Sequence, residues 1–182
     1  MKKLTLLLAV LLFCVSICPA AADSLFSGMR TYDEGQYKVG RDMVADEYVL
    51  LATTDYSGYF CISSDALGND IISNGLFDVN SILTVEYGEY VELSRCIAVR
   101  ASDFYSQYTI KTSNYGVMLK VGYDVMPGEY KLKAQVGEQG YYCIYDDSRQ
   151  IDIVDNDLFT NSTYVTLKFG QYIVLSRCML LE

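Results

Sequence analysis

Histidine and tryptophan are absent from the sequence, and proline occurs only twice. Without imidazole there can be no Ser–His or Cys–His nucleophile pair, and histidine-based metalloprotease motifs fall with them. Basic residues are also scarce: 14 Lys and Arg stand against 23 Asp and Glu, a formal net charge of −9. Such a chain repels nucleic-acid phosphates and anionic membrane surfaces, and no local basic cluster offsets the repulsion. Long apolar runs are missing too, except at the start, where Leu4 to Ile17 falls short of the about 20 residues a membrane helix needs.

That opening stretch has the three parts of a secretory signal. Lys2 and Lys3 supply a positive region, Leu4 to Ile17 an apolar one, and Ala20-Ala21-Ala22 small residues for cleavage. We therefore expect residues 1–22 to be a cleaved signal peptide and the mature chain to be secreted or envelope-associated, with no membrane span. Acylation at Cys18 is the lipoprotein alternative, disfavoured by the bulky Ile17 before it. Cleavage leaves 160 residues and raises the imbalance to 12 basic against 23 acidic groups. A chain of that length buries close to 70 per cent of its unfolded surface, enough for a real core.

What is present is a duplication. Shifting the chain by 82 residues aligns Lys38–Cys96 with Lys120–Cys178 without a gap, and 25 of the 59 positions are identical. The tetrapeptide Leu-Ser-Arg-Cys stands at Leu93–Cys96 and again at Leu175–Cys178. So long a period lies outside the range of stacked solenoid units and indicates two small domains or half-domains. We expect a first repeat over 23–100, a polar, turn-rich linker over 101–116 and a second repeat over 117–182.

Within each copy the hydrophobic period is two. Val165, Leu167 and Phe169 share one face, and after Gly170 the chain returns through Ile173 and Leu175, a hairpin pattern that recurs at Ile82–Ser94. Further strands are expected at Gly58–Ser63 and Gly140–Tyr145, with shorter ones near Asp70–Ser73 and Asp152–Asp155. Pro127-Gly128 suits the centre of a type II turn. Seventeen tyrosines, few prolines and no sustained helical stripe fit the same class. The expected fold is all-β, two homologous small β-sandwich or barrel-like repeats in tandem after the signal.

Four cysteines remain after cleavage: Cys61, Cys96, Cys143 and Cys178. They allow three pairings. The duplication favours Cys61–Cys96 with Cys143–Cys178, each closing a loop worth roughly 4 kcal/mol in the chain-entropy model. Buried free thiols are the alternative. A zinc site fits poorly, because the cysteines stand 35 residues apart within each copy and have no histidine to join them.

The segment Asp146–Asp157 carries five aspartates, a composition that suits calcium. It lacks the glycine and closing glutamate of an EF-hand loop, and a solvated acidic loop is the plainer reading. Arg95 and Arg177 are expected to pair with a duplicated acid, Asp42/Asp124 or Glu47/Glu129. Tyrosines that recur in both copies read as packing residues. Copy-specific Tyr56, Tyr115, Tyr123, Tyr145 and Tyr164 are candidates for exposed binding contacts, since amphipathic rings line sugar and protein surfaces.

The string Val-Gly-x-Asp, then Gly-Glu-Tyr, then a hairpin ending near a cysteine resembles a repeat of poorly characterised exported bacterial proteins. The resemblance covers most of the mature chain, with Ala45-Asp46 departing where the second copy has Pro127-Gly128. It implies surface or secreted placement and little more, because no catalytic residue or ligand is firmly attached to that pattern. The expectation is a non-catalytic binding module for an envelope component, a glycan or an exported protein, its two copies gaining avidity. The rivals are a carboxylate-based polysaccharide hydrolase and a structural part of a surface assembly.

Overall fold

The computed structural model describes residues 26–181; the expected signal peptide, 1–22, lies outside the described residues. The chain is all-β, with one short helix, α1 (Ala101–Phe104). The strands are β1 (Thr31–Tyr32), β2 (Gly35–Lys38), β3 (Asp46–Ala52), β4 (Gly58–Ser63), β5 (Ile71–Phe77), β6 (Asn80–Val85), β7 (Tyr90–Ser94) and β8 (Cys96–Arg100). After α1 come β9 (Val117–Lys120), β10 (Gly128–Ala134), β11 (Gly140–Tyr145), β12 (Ile153–Phe159), β13 (Ser162–Leu167), β14 (Tyr172–Ser176) and β15 (Cys178–Leu181). They form four sheets: I (β1-β8-β3-β6), II (β2-β7-β4-β5), III (β12-β11-β14-β9) and IV (β13-β10-β15). Every pairing within them is antiparallel, and no sheet closes into a barrel among the described residues.

Adding 82 to the bounds of β2 through β7 gives those of β9 through β14. The registers follow: Phe60 faces Leu93 as Tyr142 faces Leu175. Even the irregularity after Ile62 recurs after Ile144. The alternation read from the sequence explains the cores. Tyr48, Leu50 and Leu83 of sheet I meet Phe60, Ile62 and Val91 of sheet II. In the second half Leu132, Val165 and Leu167 of sheet IV meet Tyr142, Ile144 and Ile173 of sheet III. Each such side chain, fully withdrawn from water, contributes roughly 1.5–3 kcal/mol.

The expected hairpins do not form. β6 pairs with β3 while β7 pairs with β2 and β4, so the chain crosses from sheet I to sheet II at Glu86–Glu89. The same crossing takes β13 to β14. Alternation fixes only which side chains face the core, and two strands facing each other across a core satisfy it as well as two paired strands do. At the crossing the Tyr87 ring lies over Gly40 (φ +92°), where an added Cβ would come within 2.2 Å of it. Phe169 covers Gly122 (φ +99°) in the same way. Both rings stay largely exposed to solvent.

Pro127-Gly128 makes no type II turn either. Gly128 has no positive φ and opens β10, as Asp46 opens β3. What shapes the start of both strands is a tyrosine hydroxyl reaching back four residues: Tyr48 Oη donates to the Val44 carbonyl at 2.8 Å, and Tyr130 Oη to Met126 at 2.9 Å.

The expected disulfides are absent; all four described cysteines are buried free thiols. The cause is strand geometry. Successive side chains point to opposite faces, so Cys61 faces away from the core that Phe60 and Ile62 enter, whereas Cys96 sits inside that core. Cys143 and Cys178 are divided in the same way. A bridge needs Cβ atoms about 3.8 Å apart. Instead the Cys96 thiol donates to the Tyr59 carbonyl at 3.6 Å and the Cys178 thiol to Tyr141 at 3.1 Å. Burial pushes both thiols up to about 11.

The two halves pack together. The outward face of sheet I carries Val49, Ile97 and Val99, which join Phe104 of α1, Phe26 and the second half in one continuous core. Beside them Ile82 on β6 packs against Met118 and Tyr172 on β9 and β14. Polar contacts frame this seam: Arg149 reaches Glu86 at 3.0 Å and Glu89 at 2.6 Å, and the Asn80 amide donates to the Met118 carbonyl at 2.8 Å.

Candidate binding surface

The outward face of sheet IV is built from the same positions as the covered face of sheet I, with different chemistry. Val49 and Leu51 of β3 correspond to Lys131 and Lys133 of β10, and Ile82 of β6 to Tyr164 of β13. The register sets Lys131 opposite Tyr164 on one side and Leu181 on the other, and Lys133 opposite Ser162 and Met179. Leu132 and Ala134 alternate inward and anchor the strand. In the first half this face is sealed by α1 together with the second half; in the second it is open.

A groove of about 630 Å³ runs along the open face, lined by Lys131, Lys133, Gln135, Gln139, Asn161 and Ser162 among others. Its wall is the Gln135–Gln139 turn, closed by the Glu138 N–H donating to the Gln135 carbonyl at 3.0 Å and passing through Gly137 at φ +84°. Arg177 holds the far end of that turn, its Nε donating to the Gln139 carbonyl at 3.0 Å. Next to the groove, Lys131 Nζ lies 5.9 Å from the centre of the Tyr164 ring, which is 62% exposed. Amides, hydroxyls, two ammonium groups and an aromatic face suit a hydroxyl-rich, anionic ligand. Among the described residues Glu138 is the one carboxylate in the lining.

The five candidate tyrosines do not share a site. Tyr164 borders the groove. Tyr123 lies tilted against Tyr105 with ring centres 4.9 Å apart, and Lys120 Nζ lies 4.6 Å from the centre of the Tyr123 ring. Tyr56 and Tyr115 flank the turn at Asp78, whose carboxylate accepts from Ser57 and whose neighbour Val79 donates to the Gly116 carbonyl. Tyr145 stands on β11 beside Cys143, its hydroxyl raised by burial above all, then by a hydrogen bond with that thiol. The groove-lining lysines are not among the residues singled out from the sequence. The signal for them is visible in the aligned strings Tyr-Val-Leu-Leu-Ala and Tyr-Lys-Leu-Lys-Ala, where the outward positions change from apolar to cationic while the inward leucine stays.

The duplicated arginines do not pair with the duplicated acids. Arg95 Nε donates to the Ser57 carbonyl at 2.8 Å, the position matching Gln139, and both arginines sit at positive φ, +54° and +52°. They turn the chain from one sheet to the next, between Leu93 and Cys96 and between Leu175 and Cys178. That bend accounts for the recurring tetrapeptide.

The acids are held by hydrogen bonds to neighbouring turns and strands. Asp147 accepts from the Asp152 N–H at 2.7 Å, as Asp65 accepts from Asp70 at 2.6 Å. Asp155 accepts from the Tyr142 hydroxyl at 2.8 Å and Asp146 from Gln171 at 2.9 Å. Among the described residues no group of three or more potential metal-ligating side chains is gathered for an ion.

Asp42 and Asp124 cap the same strand end, accepting from the N–H of Lys38 at 3.0 Å and of Lys120 at 2.8 Å. Arg41 beside the exposed Asp42 holds its carboxyl down to about 2. Asp124 is half-buried beneath Tyr105, and desolvation raises it above the ordinary carboxylate value despite three hydrogen bonds. The Tyr105 hydroxyl, raised by burial and then by Asp124, donates to that carboxylate at 2.8 Å.

No family model, no curated protein and no solved structure matches this chain.

Proposed function

We propose that the chain is a secreted or envelope-associated, non-catalytic binding module of two homologous sandwich-like repeats, and that the groove on sheet IV takes a segment of an acidic, hydroxyl-rich envelope glycan. The observation that carries this reading is the change of one sheet face from apolar and sealed in the first half to open, cationic and amide-lined in the second. A face that served packing alone would have no use for Lys131 and Lys133 beside an exposed ring. Avidity from two equivalent sites is not part of the proposal, because α1 and the second half cover the corresponding face of the first half.

Lys131→Ala with Lys133→Ala should weaken retention on acidic envelope polysaccharide at least about tenfold at low salt, the loss shrinking as salt screens the charges. Calorimetric titration with fractionated polysaccharide measures it. Unchanged affinity in the double variant, or turnover of the polysaccharide by the unaltered protein, contradicts the reading.

A further inference from the structure

At the seam between the halves, Glu47 on β3 receives two donors from the second half: Lys120 Nζ at 2.5 Å and Tyr172 Oη at 2.5 Å. Glu47, Lys120 and Tyr172 make a compact set, with Glu47 and Lys120 side chains only 16% and 17% exposed. All three have identical counterparts at the 82-residue offset: Glu129, Lys38 and Tyr90. The counterparts cannot meet within one chain, because Glu129 lies on the outward face of sheet IV and the other two on the outward face of sheet II.

Each counterpart stands ready and incomplete. Glu129 is exposed, and its carboxylate has no partner among the described residues. Lys38 and Tyr90 are register partners on β2 and β7, with Lys38 Nζ 3.7 Å above the ring. Lys38 donates to the Gly88 carbonyl and meets no carboxylate, and the Tyr90 hydroxyl donates to nothing among the described residues. Packing within each copy explains neither the retained Glu129 nor the free hydroxyl.

We propose that chains associate head to tail, Glu129 of one chain docking on Lys38 and Tyr90 of the next and so repeating the seam between chains. The occupant that completes each set is a second copy of this protein, and the lysine-lined groove beyond Glu129 is not part of the contact. Charge agrees at the contact itself: Glu129 is an exposed carboxylate, and Lys38 is an ammonium with no carboxylate partner among the described residues. Because the two faces differ, the contact is heterologous and leaves a free face at each end, so assembly is open-ended unless the rotation closes a ring. The between-chain contact is weaker than the seam, since Arg149, which pairs with Glu86 and Glu89, is matched by Leu67 in the first copy. Association therefore depends on concentration. Glu129 lies outside the groove lining, so this inference does not depend on the glycan reading.

Sedimentation velocity on purified protein tests it. The unaltered protein should gain mass with concentration beyond one chain, and Glu129→Lys or Lys38→Glu alone should weaken this at least about tenfold, as expected when an interfacial charge pair becomes like-charged. Mixing the two single variants should restore association, because the Lys38→Glu chain keeps Glu129, the Glu129→Lys chain keeps Lys38, and the two reversed charges also attract each other. That rescue also shows that both variants are folded. A single-chain mass at every concentration, variants that associate like the parent, or a mixture that stays at single-chain mass would each overturn the proposal.

Discussion

Asp42 and Asp124 are the same residue twice and should titrate in opposite directions. Carboxyl carbon NMR should place Asp42 near 2 and Asp124 above the ordinary 3.8. The consequences for stability also have opposite signs. The contribution of Asp42 is present above its unfolded value and is lost as pH falls toward about 2. Asp124 favours its proton in the folded protein, so its contribution is complete below 3.8 and is lost as pH rises through the folded value. Coincident titration of the two carboxyls would contradict the partial desolvation of Asp124 beneath Tyr105. At this scale the sequence shows identity well and environment poorly. Leu-Ser-Arg-Cys is conspicuous in it, yet nothing about an arginine announces a left-handed backbone at +54°. The cysteine spacing suggested staples, but one inward and one outward side chain on crossing strands cannot meet.

Among elements, strand positions were legible and partners were not. Gly58–Ser63 and Gly140–Tyr145 occur as read, because alternating apolar residues must put one face in a core. β5 and β12 run on to Phe77 and Phe159, well past the short strands expected near Asp70 and Asp152. Most of their side chains are solvated, so their burial pattern carries little period. The crossing from β6 to β7 depends on a glycine beneath an aromatic ring, and here substitution has a definite cost. Gly40→Ala meets both a positive φ and the Tyr87 ring, and should lower stability by roughly 1–3 kcal/mol. A second change, Tyr87→Ala, should recover the steric part and leave the backbone part. Urea unfolding of the single and double variants separates the two, and a neutral Gly40→Ala would contradict the crossing geometry.

Over the whole molecule, the 82-residue correspondence is visible in the sequence but its asymmetry is not. The same sheet face is sealed by α1 and the other half in one half and open in the other, and the same acid is bound at the seam in one half and free in the other. Those differences arise from what each half packs against, and sliding one copy along the other does not reveal that. Only the exchange of Val49 and Leu51 for Lys131 and Lys133 hinted at it. Both proposals, the groove and the head-to-tail contact, rest on one claim: matching residues occupy matching places in the two halves. Cross-strand nuclear Overhauser contacts in an assigned spectrum test this most directly. The account predicts contacts between Phe60 and Leu93 and, at the same register, between Tyr142 and Leu175. Contacts in one half with the other shifted by even one residue, which would turn every inward side chain of that strand outward, would contradict it.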